Sequence, residues 1–230
     1  MDVVTHIDLA ESSVRDVNRR LHNAADLEAC KKVEILHPDG QHSIAAGMRR
    51  ALSIDIRGHA GYFCAGMNMR ASVTVHGNVG WSVAENMMSG DVRVAGHASE
   101  CAGASAHGGL LVIEGNASSR CGISMKGSNI VVGGDVGHFS AFMAQAGTLV
   151  ICGDAGDNLG DSLYEATIYV RGKITSLGAD AQQEEMQDAD RHKVAELLRQ
   201  AKMDADLAEF KRVASARKLY HWNSHVQQDY

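Results

Sequence analysis

Aliphatic side chains recur along this chain in pairs set one residue apart: Ile54/Ile56, Val73/Val75, Val92/Val94, Leu111/Ile113, Ile130/Val132, Leu149/Ile151 and Ile168/Val170. The residue between them is often polar, as in Asp55, Thr74 and Arg93. Alternation of this kind is the period of a strand that buries one face, so each pair predicts a short strand. A glycine follows each pair at a fixed offset, and Gly58, Gly77, Gly96, Gly115, Gly134, Gly153 and Gly172 fall 19 residues apart without a break. Next come His59, Asn78, His97, Asn116, Asp135, Asp154 and Lys173. Those types suit a corner where the backbone takes positive φ or a side chain bonds its own backbone. The seven glycines are therefore assigned as structural turn residues.

Further along each unit, small residues hold the thirteenth place (Ala65, Ala84, Gly103, Gly122, Ala141, Gly160, Ala179). Apolar or small ones hold the sixteenth (Met87, Ala106, Met125, Ala144, Leu163), with Asn68 as the exception. A unit this short cannot enclose a core by itself. Self-similarity at a fixed period of this size predicts a solenoid whose stacked turns bury one continuous interior. The fold expected is all-β, a right-handed parallel β-helix of about seven 19-residue turns. The left-handed hexapeptide form needs a period divisible by six, and parallel crossovers prefer the right hand. With strands ~4.8 Å apart, seven turns give a rod roughly 34 Å long.

Residues 53–180 carry the repeat, flanked by an N-terminal extension (1–52) and a C-terminal one (181–230). "VVTHIDLA" predicts a strand. A helix is expected over "SSVRDVNRRLHNAAD", where Ser13 and Asp16 stand at capping-box spacing and Val14, Val17 and Leu21 at helical spacing. "KKVEILHPDG" predicts a strand ended by Pro38, the chain's one proline, and supplies an irregular first turn. Beyond Gly178 the chain is glycine-free and charge-rich; Val194, Leu197, Leu198 and Ala201 predict one helix, and Leu207, Phe210 and Val213 a second. A β-helix leaves an open strand edge at each end, so helical extensions are expected to cap the rod or to reach a partner.

At 230 residues and 45% hydrophobic content the chain can bury a substantial core, and its low aromatic share of 5% fits ladders of small side chains in a narrow coil. A net charge of −6 gives no electrostatic reason to expect nucleic acid or an anionic membrane as partner. No signal-peptide pattern opens the chain and no apolar run is long enough to span a bilayer, so a cytoplasmic protein is expected. Five cysteines without CxxC spacing read as reduced thiols.

Three constellations bear on chemistry. Asp135 and Asp154, with Asp157 and Asp161 nearby, stand at equivalent places in adjacent turns and would suit acid/base work on a polysaccharide. Each also fills the turn slot that Asn and His fill elsewhere, and the turn reading is favoured. Cys64 and Cys121 share a place but lie three turns apart, on the order of 14 Å, and the 12 histidines lack HxxxH or HxH spacing, so no metal site is expected. The GxxG pieces (Gly58 to Gly61, Gly77 to Gly80, Gly134 to Gly137, Gly153 to Gly156) lead into another strand-like segment rather than a helix, which favours corners over a phosphate cradle. Neither catalytic nor cofactor-binding residues are assigned.

The units "VRGHAGYFCAG", "VHGNVGW", "VGGDVGHFSAFMAQAG" and "VICGDAGDNLGDSLYEATIYVRG", followed by "FKRVASARKLYHW", resemble the C-terminal GXGXG glycine-repeat domain of the glutamate synthase large subunit over roughly residues 33 to 222. Ser99, Ser118 and Thr175 replace the second glycine in three turns. The resemblance implies a non-catalytic right-handed β-helix that holds glutaminase-like and flavin-binding units in relation to each other. A stand-alone version of that repeat is expected here, as in the separate repeat subunits of N-methylglutamate synthase complexes, which convert methylamine and glutamate to N-methylglutamate and ammonia. It also implies partners: a glutaminase-like amidotransferase subunit and a subunit carrying FMN and an iron-sulfur cluster. A related repeat occurs in formylmethanofuran dehydrogenase, but "SARKLYHW" favours the glutamate synthase side. Arg217, Tyr220 and Trp222 in that tail are the candidates for docking or capping.

Overall fold

The computed structural model describes residues 4–23 and 31–217. Two leading strands, β1 (Val4–Asp8) and β2 (Lys32–Leu36), precede β3 (Ser53–Arg57), β4 (Ser72–Val75), β5 (Asp91–Val94), β6 (Leu110–Ile113), β7 (Lys126–Val132), β8 (Ala146–Ile151) and β9 (Thr167–Val170). All join one 11-stranded sheet in chain order, and every pairing from β1 to β9 is parallel. From β3 onward the register advances by one repeat per rung, setting Ile54 beside Val73, then Val92, Leu111, Ile130, Leu149 and Ile168. A second, thinner ladder of parallel bridges links Ala60, Val79, Ala98, Ala117, Val136, Ala155 and Ile174. The molecule is thus a parallel β-solenoid of about seven turns, and only two α-helices occur among the described residues.

The aliphatic pairs point inward and are at most 1% exposed, forming a single core from Ile7 to Val213. Burying each such side chain contributes on the order of 1.5–3 kcal/mol. Asn68, the exception at the sixteenth place, is fully buried, but its side chain donates to Ala71 O (2.8 Å) and accepts from Ala71 N–H (3.0 Å). A polar group closed on local backbone in this way leaves nothing unsatisfied in the interior.

Positive φ is found at a different part of the unit than the sequence suggests. Among the seven strand-end glycines only Gly58 has it. It falls instead on the eleventh, thirteenth and fifteenth places, as in Phe63, Ala65 and Met67 (φ 57°, 52° and 55°) and Ser82, Ala84 and Asn86 (62°, 55° and 54°). Left-handed backbone costs a non-glycine residue about 1–2 kcal/mol. Backbone bonds to both neighbouring turns offset that cost: Phe63 N–H donates forward to Trp81 O (2.8 Å), Ala65 back to Ile44 O (2.9 Å) and Met67 forward to Glu85 O (2.7 Å). The thirteenth place also faces the core from Ala65 to Gly160, which explains why only Ala and Gly occupy it there; Ala179, in the last turn, is exposed.

The leading end follows expectation. Helix α1 (Val14–His22) is capped by Ser13, whose side chain accepts the Asp16 N–H, and it buries Val17 and Leu21 over the first rungs. β2 pairs with β3 at a step of 21 residues (Lys32 to Ser53), the irregular first turn. At the other end the second predicted C-terminal helix does not form. Helix α2 (Asp188–Ala201) buries Val194, Leu197, Leu198 and Ala201, but it is bracketed by β10 (Ala181–Glu184) and β11 (Lys211–Ser215). β11 pairs antiparallel with β9, then with β10. Leu207 sits in a single 3-10 turn, Phe210 packs outside the rod with α2, and Val213 enters the core opposite Ile168. A strand wins here because it satisfies the backbone N–H and C=O groups along β9, which a helix cannot do.

Candidate functional site

The strand-end corner is a built device. His59 Nδ1 accepts the Asn78 N–H (2.9 Å), Asn78 Oδ1 the His97 N–H (2.9 Å), and His97 Nδ1 the Asn116 N–H (2.9 Å). Asn116 Oδ1 then accepts the Asp135 N–H (3.0 Å), Asp135 Oδ1 the Asp154 N–H (2.7 Å), and Asp154 Oδ1 the Lys173 N–H (2.7 Å). Each of these side chains bonds the next turn, not its own backbone, and six bonds stitch seven turns into one column. From Gly77 onward, the strand-end glycine of each turn makes room for the column side chain of the turn before it. A Cβ on Gly77 would lie 2.8 Å from the Gly58 backbone, and one on Gly115 would lie 2.6 Å from His97 Nδ1. Close approach, not backbone conformation, thus requires glycine here. Asp135 and Asp154 are members of this column, each with one carboxylate oxygen committed to it.

The thiols are equally committed. Cys64 and Cys121 are fully buried, and burial pushes both thiols up to about 12. Burial also raises the Cys101 and Cys152 thiols, against a smaller lowering by Arg120 and Arg171 respectively. Cys30 lies outside the described residues. Among the described residues no group of three or more His, Cys, Asp and Glu side chains could hold a metal ion. No described helix is long and apolar enough to cross a membrane.

The outer face of the sheet divides in two. Between the inward aliphatics stand Asp55, Thr74 and Arg93 in the first three rungs, then Val112, Val131, Val150 and Tyr169. α2 and Phe210 cover the apolar part and form a second cluster with it. Tyr169 Oη donates to Asp190 Oδ1 (2.6 Å), and Arg212 Nε reaches the same oxygen (3.2 Å), so the start of α2 is pinned to the last rung. Burial raises the Tyr169 phenol, and its bond to Asp190 adds to that. At the other end of α2, Arg93 donates to Ala201 O (2.7 Å) and pairs with Glu114 (2.7 Å). These residues line a cleft of about 550 Å³ together with Gly133, Cys152, Arg171 and Met203. The switch from polar to aliphatic in this column is a sequence signal for a covered outer face, and reading the helices only as end caps or partner arms missed it.

The open part of the face is a closed charge network: Lys32 with Asp55 (2.9 Å), His76 with Asp55 (2.7 Å), and Arg57 with Glu34 (2.5 Å). Partial burial pushes the Asp55 carboxyl up, but hydrogen bonds from His76 and Lys32 outweigh it and hold the carboxyl below its ordinary value. Of the tail candidates, Arg217 is exposed and pairs with Asp180 (2.7 Å), tying the end of β11 to the turn before β10. Tyr220 and Trp222 lie outside the described residues. Exposed apolar side chains cluster on the first two full turns, where Met67, Met69 and Met88 are accompanied by a stack of His42, Tyr62 and Trp81 with ring centroids 4.2 and 5.3 Å apart.

No family model matches the chain, and no solved structure matches it. Protein GlxC of Rhizobium meliloti (strain 1021) is 55% identical to it over 218 residues, which span 94% of this chain and 96% of that protein. A match of that length across nearly the whole of both chains takes in the rod, β2 and the C-terminal cover together. The chain belongs to the GlxC family.

Proposed function

We propose that this chain is the non-catalytic structural subunit of a flavin-dependent, glutamate-synthase-like complex of the N-methylglutamate synthase type. In this reading a glutaminase-like amidotransferase subunit and a subunit carrying FMN and an iron-sulfur cluster are held by the rod, and the chemistry belongs to those partners. The observation that carries the proposal is the corner column. It turns the one recurring set of polar, potentially reactive side chains into a stiffening device, with His97, Asn116, Asp135 and Asp154 each occupied by the backbone of the next turn. A rod fixed turn to turn at its corner, sealed by β11 and braced by α2 is suited to keep two active sites at a set distance. The resemblance of its repeat units and "SARKLYHW" tail to the glutamate synthase repeat names the kind of complex. A glutamate synthase, or another enzyme built with the same repeat, is the alternative assembly. Native mass spectrometry of the protein isolated from its own cells, with flavin content measured on the same sample, tests the proposal. Co-isolation with a flavoprotein and an amidotransferase-like chain is expected, and a protein that emerges alone defeats it.

A further inference from the structure

One long side of the rod carries an arrangement that the fold does not require. Backbone bonds align its turns residue by residue: Met69 N–H donates to Met48 O, Met88 to Asn68 O, His107 to Met87 O and Lys126 to Ala106 O. Arg49, Met69, Met88, His107 and Lys126 therefore form one column, and all five are exposed. Arg70 follows Met69, and Met67 lies two residues before it on the same outward side, because Asn68 between them turns into the core. The three methionines are 47% (Met67), 39% (Met69) and 46% (Met88) exposed.

Charge sets this column apart from the open sheet face. There, Lys32, Asp55, His76, Arg57 and Glu34 satisfy one another. Here, Arg49, Arg70 and Lys126 form no ion pair or side-chain hydrogen bond with any described residue. No carboxylate interrupts the column, in a chain whose net charge is −6. An apolar centre flanked by unmatched cations on an acidic protein selects for a partner with apolar anchors and carboxylates.

We propose that this strip is the docking site for an acidic segment of a different protein chain. Its apolar side chains lie on Met67, Met69 and Met88, and its carboxylates meet Arg49, Arg70 and Lys126. The inference rests on the reading of this chain as one subunit of a hetero-oligomer. Methionine is unbranched and polarizable, so it conforms to a partner's shape, and arginine binds carboxylates with two parallel hydrogen bonds. From Arg49 to Lys126 is four rungs, ~19 Å at ~4.8 Å each, a length matched by roughly 13 residues of helix or six of strand. Unmatched cations at the rim of an apolar patch raise the rate of encounter with an acidic partner and make binding sensitive to salt.

The test is oxidation by dilute hydrogen peroxide, read at each methionine by mass spectrometry, on the isolated chain and on the native complex. Met67, Met69 and Met88 should oxidise readily in the isolated chain and severalfold more slowly in the complex, while buried Met48, Met87 and Met125 stay protected in both. Arg49→Glu with Arg70→Glu should weaken assembly by about tenfold, and lower its salt dependence, with the thermal melt of the chain unchanged. A complex that forms with the three methionines as reactive as before, or that tolerates the double reversal, overturns the docking site and leaves the proposed function standing. A chain that is always alone overturns both. Protection that arises from self-association, or from vesicles of phosphatidylcholine and phosphatidylserine, shows a different occupant and overturns the proposal.

Discussion

Asn116 Oδ1 accepts the Asp135 N–H at 3.0 Å, and a Cβ added to Gly134 would collide with that same oxygen. The two residues thus depend on each other across a turn boundary: the glycine is absent of side chain because the asparagine occupies its space. Asn116→Ala is expected to cost about 1 kcal/mol, the net value of a partly exposed hydrogen bond. Gly134→Ala is expected to cost about 1–3 kcal/mol, the range for overpacking, since its nearest backbone neighbour, Gly115 C, is 3.1 Å from the new Cβ and must shift slightly. Together they should cost less than the sum by at least ~0.5 kcal/mol, because removing the amide relieves the main clash. Denaturant unfolding of the four proteins measures this. Strict additivity would show that the glycine answers to something other than the column. At this scale the sequence displayed the right residues under the wrong reason. A glycine followed by Asn, Asp or His reads as a bend that bonds itself, because one repeat considered alone contains no next turn for the side chain to reach.

Elements were legible where their pattern was repeated or locally capped, and obscure where a tertiary demand decided them. The seven rungs follow from Ile54/Ile56 and its equivalents, and α1 from Ser13, Val17 and Leu21, because each signal sits inside the element it predicts. β11 gives no such signal. Leu207, Phe210 and Val213 stand three apart, as on a helix, yet Phe210 serves the outer cluster and Val213 the inner core on opposite sides of the sheet. What selects the strand is the unpaired edge of β9, which exists only once the rod is folded. Val213→Asp should therefore unseat β11 and bare that edge, and the expected consequence is self-association seen by light scattering at micromolar concentration. A variant that stays monomeric with a native-like melt would mean that the edge is sealed by α2 and its cover alone.

A rod built from equivalent turns should tolerate the loss of one whole turn better than the loss of a fraction of one. Deleting residues 72–90 joins Ala71 to Asp91, and every inward column keeps its partners: Ile54 meets Val92, Ile56 meets Val94, and His59 can accept the His97 N–H. The α2 cover lies on Val112 and later rungs and is untouched. The shortened chain should fold with a cooperative melt and a rod about 4.8 Å shorter. Deleting 72–89 instead leaves a junction turn one residue longer than the repeat, and the extra residue must be taken up locally as a bulge, as happens between β7 and β8 where Lys126 pairs with Ala146 but Asn129 with Thr148. That chain should fold but melt at a lower temperature than the 72–90 deletion. The functional consequence separates a spacer from a passive filler. If the rod sets the distance between two partner subunits, the 72–90 deletion should bind each of them singly with weakened affinity, since Met88 is lost, and should fail to hold both in an active complex. Full activity from the shortened rod would mean that the number of turns carries no positional information. Its stiffness, stitched through His97, Asn116, Asp135 and Asp154, would then have to serve the stability of this chain alone.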